Sequence, residues 1–184
     1  MKRKRSAAEW IAILSRLAEV LPQDHEHRVT VIGGAAMILG YGAQRMTDDV
    51  DAVMSPDVAA DVIPAAVAIA PEFGLEANWL NEQAMTASLI VRPRIVEKTV
   101  FASHSLVLEA PPVEHMLAMK LTAYRRHKDL EDASLLLKRM ERSGLSSEED
   151  VWTVVGGLVP VAKRPFARYN LGDLWERTHG SRPA

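Results

Sequence analysis

The sequence predicts a fold of the α/β (α+β) class, with a sheet and helices in its first half and helices alone in its second. Short segments rich in β-branched residues alternate with helical apolar stripes up to Ala110. After Pro111 and Pro112 the apolar residues recur only at helical spacing. We therefore expect an α/β core with an N-terminal helix over residues 1–110, and a helical C-terminal subdomain over residues 111–184 that packs on the core.

The composition is that of a globular protein without thiol chemistry. The chain has 184 residues, 48% of them hydrophobic and 25% charged, which is close to the average for folded domains. It contains no cysteine, which excludes disulfides and thiolate metal sites. Its net charge of −2 argues against a general polyanion binder, although basic clusters occur at residues 2–5, 125–128 and 163–168. No apolar run is long enough to span a membrane, so we expect a soluble, cytoplasmic protein.

Four elements are predicted before residue 56. An amphipathic helix is indicated by apolar residues at helical spacing, which are Trp10, Leu14, Leu17 and Leu21. The segment "RVTVIGG" predicts a strand, and "AAMILGYG" predicts a short helix that Gly40 or Gly42 ends. The segment "DVDAVM" alternates acidic and apolar residues, which predicts a strand with both carboxylates on one face.

The elements after residue 55 follow from turn and cap signals. Ser55 and Pro56 start a helix in which Pro64 predicts a kink or a break into two short helices. The segments "SLIVRP", "RIVEKTVF" and "HSLVLEAPP" predict adjacent strands or a hairpin. Apolar helical faces then follow across residues 113–124 and 130–140. Ser147 with Asp150 predicts a capped helix, and "LGDLWER" predicts a short final one.

The chemistry is concentrated in residues 31–56. Asp49 and Asp51 are two residues apart, which on a strand puts their Cβ atoms about 6–7 Å apart on one side. Two such carboxylates suit magnesium, whose remaining ligands can be phosphate oxygens. Gly33 and Gly34 follow a predicted strand, and without a Cβ they let backbone N–H groups approach a phosphate. Each piece alone is common in turns and acidic loops, so a purely structural interpretation stays open.

The order of these pieces resembles the nucleotidyltransferase-fold superfamily. More closely, the chain is similar to the bacterial family of AbiEii-type toxins and related uncharacterised nucleotidyltransferase-like proteins. The matching segments are "GGAA", "RMTDDVD" and "PPVEHMLAMKLTAYRRHKDLEDASLLL". In such proteins a proline-led helix carries a lysine, then Ala-x-Arg, then Lys-Asp-x-x-Asp. The residues at those places are Lys120, Ala123, Arg125, Lys128, Asp129 and Asp132.

The resemblance implies a mixed sheet flanked by helices and a role for each matching residue. Gly33 and Gly34 would cradle a nucleoside triphosphate (NTP), and Asp49 with Asp51 would bind Mg²⁺ or Mn²⁺. Further roles would fall to Arg45 and Thr47 at the metal loop or the nucleotide, to Lys120 at the phosphates, and to Asp129 and Asp132 near the cleft. The implied reaction transfers a nucleotide to an RNA (tRNA) or protein acceptor. The implied biology is that of a toxin neutralised by an antitoxin protein.

One departure from the superfamily pattern leaves alternatives open. Catalytic members usually carry a third carboxylate on a later strand, and here the later segments offer only Glu82, Glu97 and Glu109 outside any motif. A missing acid would weaken metal binding and remove a base for the nucleophile. The alternatives are a catalytically inactive protein that binds a nucleotide or a protein partner, and a structural protein in which the glycines and acids only shape a turn. Lys128, Asp129 and Asp132 could likewise be ordinary solvated pairs.

The histidines offer no comparable pattern. His25 and His27 have the spacing of one strand face, but they lie in a polar segment with no further ligand set nearby in sequence. We therefore do not expect a metal site there.

Overall fold

A mixed sheet with three helices occupies the first half of the chain, and helices alone occupy the second. The computed structural model describes residues 3–82, 98–124 and 126–180. These residues divide into two units, the first of 3–82 with 98–111 and the second of 112–124 with 126–180. The predicted α/β class, with a mixed sheet and flanking helices, is confirmed.

The first unit contains three α-helices and five strands among its described residues. The helices are α1 (Ala7–Val20), α2 (Gly33–Gly40) and α3 (Pro56–Ile69), the last followed by a 3-10 turn at Ala70–Phe73. The strands are β1 (His27–Ile32), β2 (Val50–Val53), β3 (Leu80–Asn81), β4 (Lys98–Ser103) and β5 (Leu106–Ala110).

The sheet has the strand order β3-β2-β1-β5-β4, with β1 in the centre. Strand β1 pairs antiparallel with β2 and parallel with β5, while β3 is parallel to β2 and β4 antiparallel to β5. The register sets Ile32 opposite Asp51, and Asp51 opposite Asn81. Residues that pair across neighbouring strands point to the same face, so Asp51 and Asn81 share a face of the sheet.

The opposite face of the sheet carries the helices of the first unit. Helix α2 contacts β1, β2 and β4, and α3 contacts β1 and β3. Trp10 of α1 stacks on Trp79 with ring centroids 5.5 Å apart, and the Trp79 indole N–H donates to the Ala66 carbonyl at 2.9 Å. Helix α1 starts at a capping box in which Ser6 and Glu9 exchange hydrogen bonds. The hydrogen bonds from the Ser6 backbone N–H and hydroxyl lower the pKa of Glu9.

The second unit contains four α-helices among its described residues. They are α4 (Val113–Ala123), α5 (Arg126–Arg142), α6 (Glu148–Val155) and α7 (Arg164–His179), with a 3-10 turn at Val161–Lys163. Helix α4 contacts the other three. The Tyr124 hydroxyl donates to Asp173 Oδ2 at 3.0 Å, and the Asn170 amide donates to the Leu121 carbonyl at 2.8 Å. These two bonds tie α7 to the C-terminal end of α4.

Several elements differ from their predictions. Helix α3 runs without a break through Pro64, so of the two predicted alternatives, a kink or two short helices, the second is wrong. Pro64 and Ala60 are both exposed, so water can satisfy the Ala60 carbonyl that loses its N–H partner. Helix α2 begins at Gly33, earlier than the predicted "AAMILGYG", and α7 is longer than the predicted "LGDLWER".

The predicted strands agree with the structure to different extents. Strands β4 and β5 form the hairpin expected from the last two β-rich segments, whereas "SLIVRP" lies outside the described residues. Strand β2 starts at Val50, so Asp49 precedes the strand, whereas the sequence predicts a strand that begins at Asp49. Across the described helices, length and apolar character fall short of what a membrane crossing requires.

We predict that Asn170→Leu lowers the free energy of unfolding by about 1–3 kcal/mol, because a carbonyl at the end of α4 loses its buried donor. Asn170 is 3% exposed, so water cannot replace the bond without rearrangement. Urea denaturation measures the change. The exposed Glu176 of the same helix supplies the control: Glu176→Ala should change stability by less than about 0.5 kcal/mol. Equal losses in the two variants would contradict the assigned role of the Asn170 amide.

Candidate functional site

The site begins where β1 turns directly into α2. Strand β1 ends at Ile32 and the helix begins at Gly33, with no residue between them. Gly33 has φ +61, a left-handed conformation that side chains other than glycine rarely adopt. Within the part of the chain that is described, no side chain caps this helix start. The first backbone N–H groups of α2 and the positive end of its dipole are therefore suited to an anion.

Asp51 lies against the first glycine. It pairs with Ile32 in the antiparallel register, which brings its side chain to the end of β1. A Cβ built on Gly33 would lie 2.7 Å from Asp51 Oδ2, closer than real Cβ atoms come to an oxygen. The carboxylate thus occupies the space that any other side chain at position 33 would take.

The second glycine is enclosed in the same way by the loop before β2. A Cβ on Gly34 would lie 2.6 Å from Thr47 Oγ1 and 3.2 Å from Arg45 Nη2. The structure therefore brings together five residues that are separated by up to 18 positions in the sequence. They are Gly33, Gly34, Arg45, Thr47 and Asp51.

The loop that carries Thr47 is held from behind by the N-terminal segment. The Arg5 N–H donates to the Thr47 carbonyl at 2.7 Å, and the Thr47 N–H donates to the Arg5 carbonyl at 3.1 Å. The Arg5 guanidinium donates to the Phe73 carbonyl at 2.9 Å, and Arg5 is 5% exposed. Within this loop, the Thr47 hydroxyl lies 3.4 Å from Asp49 Oδ1, so the Asp49 carboxylate lies close to Thr47.

The three candidates for a third carboxylate differ in their surroundings. Glu109 of β5 pairs with Thr30 and so shares the face of Asp51, but its Oε1 accepts a hydrogen bond from Arg28 at 2.7 Å. Glu82 follows β3, one residue past the partner of Asp51. Glu97 lies outside the described residues. The residue in register with Asp51 on β3 is Asn81, whose amide the sequence analysis did not single out.

Lys120 lies in the second unit, in a buried ion-pair cluster with two acids. Its Nζ donates to Asp129 Oδ1 at 2.9 Å and to Asp132 Oδ2 at 2.7 Å. Asp129 and Asp132 are each 1% exposed and Lys120 is 6% exposed. The alternative in which Asp129 and Asp132 form ordinary solvated pairs is therefore wrong, because both carboxylates are buried and accept hydrogen bonds from the buried lysine.

The geometry of the first unit defines what its site can bind. Asp49 and Asp51 are both partly exposed, and carboxylate oxygens are the ligands that hard divalent cations prefer. The start of α2 offers backbone N–H groups beside Asp51, and Arg45 adds a cationic side chain next to Gly34. The arrangement can therefore hold a divalent cation and a phosphate side by side.

The sequence analysis also missed Arg5 and Asp61. Arg5 was counted only within a basic cluster, although its backbone bridges to Thr47. Asp61 of α3 joins His25 and His27 in a group whose possible ligand atoms lie within 4.8 Å of one another. Asp61 lies far from both histidines in the sequence, so only the packing of α3 beside the start of β1 reveals that it belongs to the group.

Comparison with protein families gives one match. The model of a family described as "Nucleotidyltransferase of unknown function (DUF6036)" matches residues 8–133, which is more than half of the chain. The matched range includes the glycine pair, Asp49 and Asp51, and the cluster around Lys120. Neither the comparison with curated proteins nor the comparison with solved structures gave a significant match.

We predict that Gly33→Ala destabilises the protein more than Gly74→Ala does. Both glycines have a left-handed φ, +61 and +58, so both variants incur a backbone penalty of about 1–2 kcal/mol. Nothing lies within 4 Å of a Cβ at Gly74, whereas one at Gly33 meets Asp51. Denaturant unfolding should show an additional loss of about 1–3 kcal/mol for Gly33→Ala. If the two losses are equal, Asp51 does not crowd the glycine.

We also predict that Lys120→Ala lowers the free energy of unfolding by about 3–5 kcal/mol, since two buried carboxylates each lose a hydrogen bond from a buried cation. Urea denaturation again provides the measurement. Lys138 of α5 is exposed, so Lys138→Ala is the control and should change stability by less than about 0.5 kcal/mol. A loss for Lys120→Ala no larger than that of the control would be inconsistent with a buried cluster.

Proposed function

Because the chain belongs to the DUF6036 family of nucleotidyltransferases, we propose that it transfers a nucleotide from an NTP to a macromolecular acceptor in a Mg²⁺-dependent reaction. The acceptor hydroxyl would attack the α-phosphate, and the bond to the leaving pyrophosphate would break. The observation that carries the proposal is the contact between Gly33 and Asp51 at the start of α2. In this proposal, the helix start would bind phosphate and the carboxylate beside it would bind the metal.

The residues of the first unit divide this work between them. The N–H groups that follow Gly33 and Gly34 would bind phosphate oxygens, which glycines allow because no Cβ shields the backbone. Arg45, next to Gly34, would neutralise phosphate charge. Thr47 would hold the loop, since its backbone is paired with Arg5 and its hydroxyl lies near Asp49.

Asp49 and Asp51 would hold the divalent cation, Mg²⁺ or Mn²⁺. The donor set fits, because both carboxylates are partly exposed, Asp51 lies against Gly33 at the start of α2, and Asp49 lies 3.4 Å from the Thr47 hydroxyl. When bound, such an ion neutralises phosphate charge and helps to orient the attacking and leaving oxygens. Asn81, in register with Asp51, would contribute an amide oxygen or orient the carboxylate.

The resemblance to nucleotidyltransferases assigns Lys120 to the nucleotide phosphates, and we propose that role for it. Its ammonium group donates hydrogen bonds to Asp129 and Asp132, which fix its position. A cation that acts on a substrate has to be held in a defined position. The two acids are thus positioning residues in this proposal. Three donor hydrogens are available on the ammonium group, so one remains beyond those two bonds.

We further propose that the biological role is that of an AbiEii-type toxin in the cytoplasm of a bacterium, acting on tRNA or on a protein and neutralised by an antitoxin. This step rests on the segments around Asp49 and Lys120 that resemble that family. A second candidate function is nucleotide or partner binding without catalysis. Two observations about the third carboxylate favour it. The residue in register with Asp51 is Asn81, an amide, and the carboxylate of Glu109 is already paired with Arg28.

Labelled nucleotides separate the two candidates. We predict that the purified chain, given Mg²⁺, cell extract and each NTP labelled at the α-phosphate, transfers label to RNA or protein. Asp49→Asn and Asp51→Asn should each lower transfer by at least about 100-fold and abolish growth arrest on expression, because phosphate charge is no longer neutralised. The exposed Glu76 provides the control, Glu76→Gln, which should transfer at the unmodified rate.

The failures have distinct meanings. If one NTP raises Tm only in the presence of Mg²⁺ and no label is transferred, the protein binds without catalysis. Growth arrest that persists in Asp51→Asn would contradict the enzymatic toxin. Transfer that Asp49→Asn and Asp51→Asn leave intact would place the active site elsewhere.

A further inference from the structure

A second group of potential metal ligands lies at the opposite end of β1 from the glycine pair. His25 precedes β1, His27 is its first residue, and Asp61 belongs to α3. His27 and Ile32 stand at the two ends of this strand, about 16 Å apart at the rise of a β-strand. The group is therefore separate from the site of Asp49 and Asp51.

In both histidines the Nε2 atom lies close to the same carboxylate oxygen, Oδ2 of Asp61. His27 Nε2 lies 3.1 Å from Asp61 Oδ2, and His25 Nε2 lies 3.2 Å from the same atom. The two rings are close together, with centroids 4.3 Å apart. A tetrahedral zinc site with bonds of about 2.0–2.2 Å separates its ligand atoms by about 3.3–3.5 Å. The observed separations differ from this by a few tenths of an ångström.

The other nitrogen of His25 already has a carboxylate partner. His25 Nδ1 lies 2.9 Å from Asp24 Oδ1, so the proton of a neutral ring belongs on Nδ1. The Nε2 lone pair of that ring then faces the negatively charged oxygen of Asp61. A positive charge between the two atoms, whether a proton or a metal ion, relieves this repulsion. Outer carboxylates that orient a metal-binding histidine through its second nitrogen are a regular feature of zinc sites.

Burial and access are also compatible with an ion. The His27 side chain is fully buried, so its ring direction is fixed, whereas the side chains of His25 and Asp61 are 50% and 33% exposed. The exposed side gives an ion a path from solvent. Two imidazoles with one carboxylate favour zinc and its neighbours over magnesium, which prefers oxygen ligands alone.

We propose that His25, His27 and Asp61 bind a divalent transition-metal ion of the zinc class. Three protein ligands leave the fourth position of a tetrahedral ion for water. The ion joins the start of β1 and the segment before it to the middle of α3. It stabilises the folded state, because the ligands come together only when the strand and the helix are packed.

Titration of the untagged, chelator-treated full chain with Co²⁺ and Zn²⁺ tests the site. We expect one equivalent of Co²⁺ to bind with the visible absorption of a tetrahedral complex, and Zn²⁺ to displace it. Zn²⁺ at about 100 times its Kd should raise Tm by about 5–10 °C. His25→Gln and Asp61→Asn should lose the absorption and the Tm shift, and Asp24→Asn should bind about 10-fold more weakly.

The matched control is a histidine outside the group. His104 is exposed in the turn between β4 and β5 and has φ 50, a conformation that asparagine tolerates, so His104→Asn should bind as the unmodified chain does. The Tm of each variant without metal shows whether it folds. Absence of binding in the folded, unmodified chain would overturn the proposal. Binding that His25→Gln and Asp61→Asn leave unchanged would overturn it equally.

Discussion

The left-handed backbone at Gly33 is the constraint on which the candidate site depends. It lets the chain pass from a strand to a helix without an intervening loop, so the helix starts at the C-terminal end of the central strand β1. The antiparallel pairing of β1 and β2 then sets the carboxylate of Asp51 in the space left by the missing side chain. Replacing the glycine would change the backbone angle and displace the acid at once, so the two cannot vary independently.

Features with local causes could be predicted from the sequence. The capping box at Ser147 and the hairpin of β4 and β5 each depend on residues close together in the chain. The order of the glycines and acids carries the resemblance to nucleotidyltransferases, and the register of β1 and β2 brings Asp51 to Gly33. The contact between Gly34 and Thr47 could not be predicted, since it depends on how the loop before β2 folds back.

Features that depend on packing between distant segments were missed. Asp61 lies 34 residues after His27, and only the packing of α3 on the sheet brings them together. Asn81 belongs to a strand of two residues, too short for a periodic signal, yet it pairs with Asp51. The unbroken helix through Pro64 likewise reflects its exposed position, which proline propensity alone does not describe. In each case tertiary context outweighs the local signal.

The bridge between Arg5 and Thr47 has a practical consequence for how the protein is handled. The segment before α1 forms the outer support of the loop that carries Thr47 and Asp49, and the same guanidinium holds the chain at Phe73. A proteolytic cut or a fusion joint at residue 5 would therefore loosen the loop of Thr47 and Asp49, although residue 5 is far from that loop in the sequence. Preparations trimmed at this end and preparations left intact should be treated as different samples in any binding measurement.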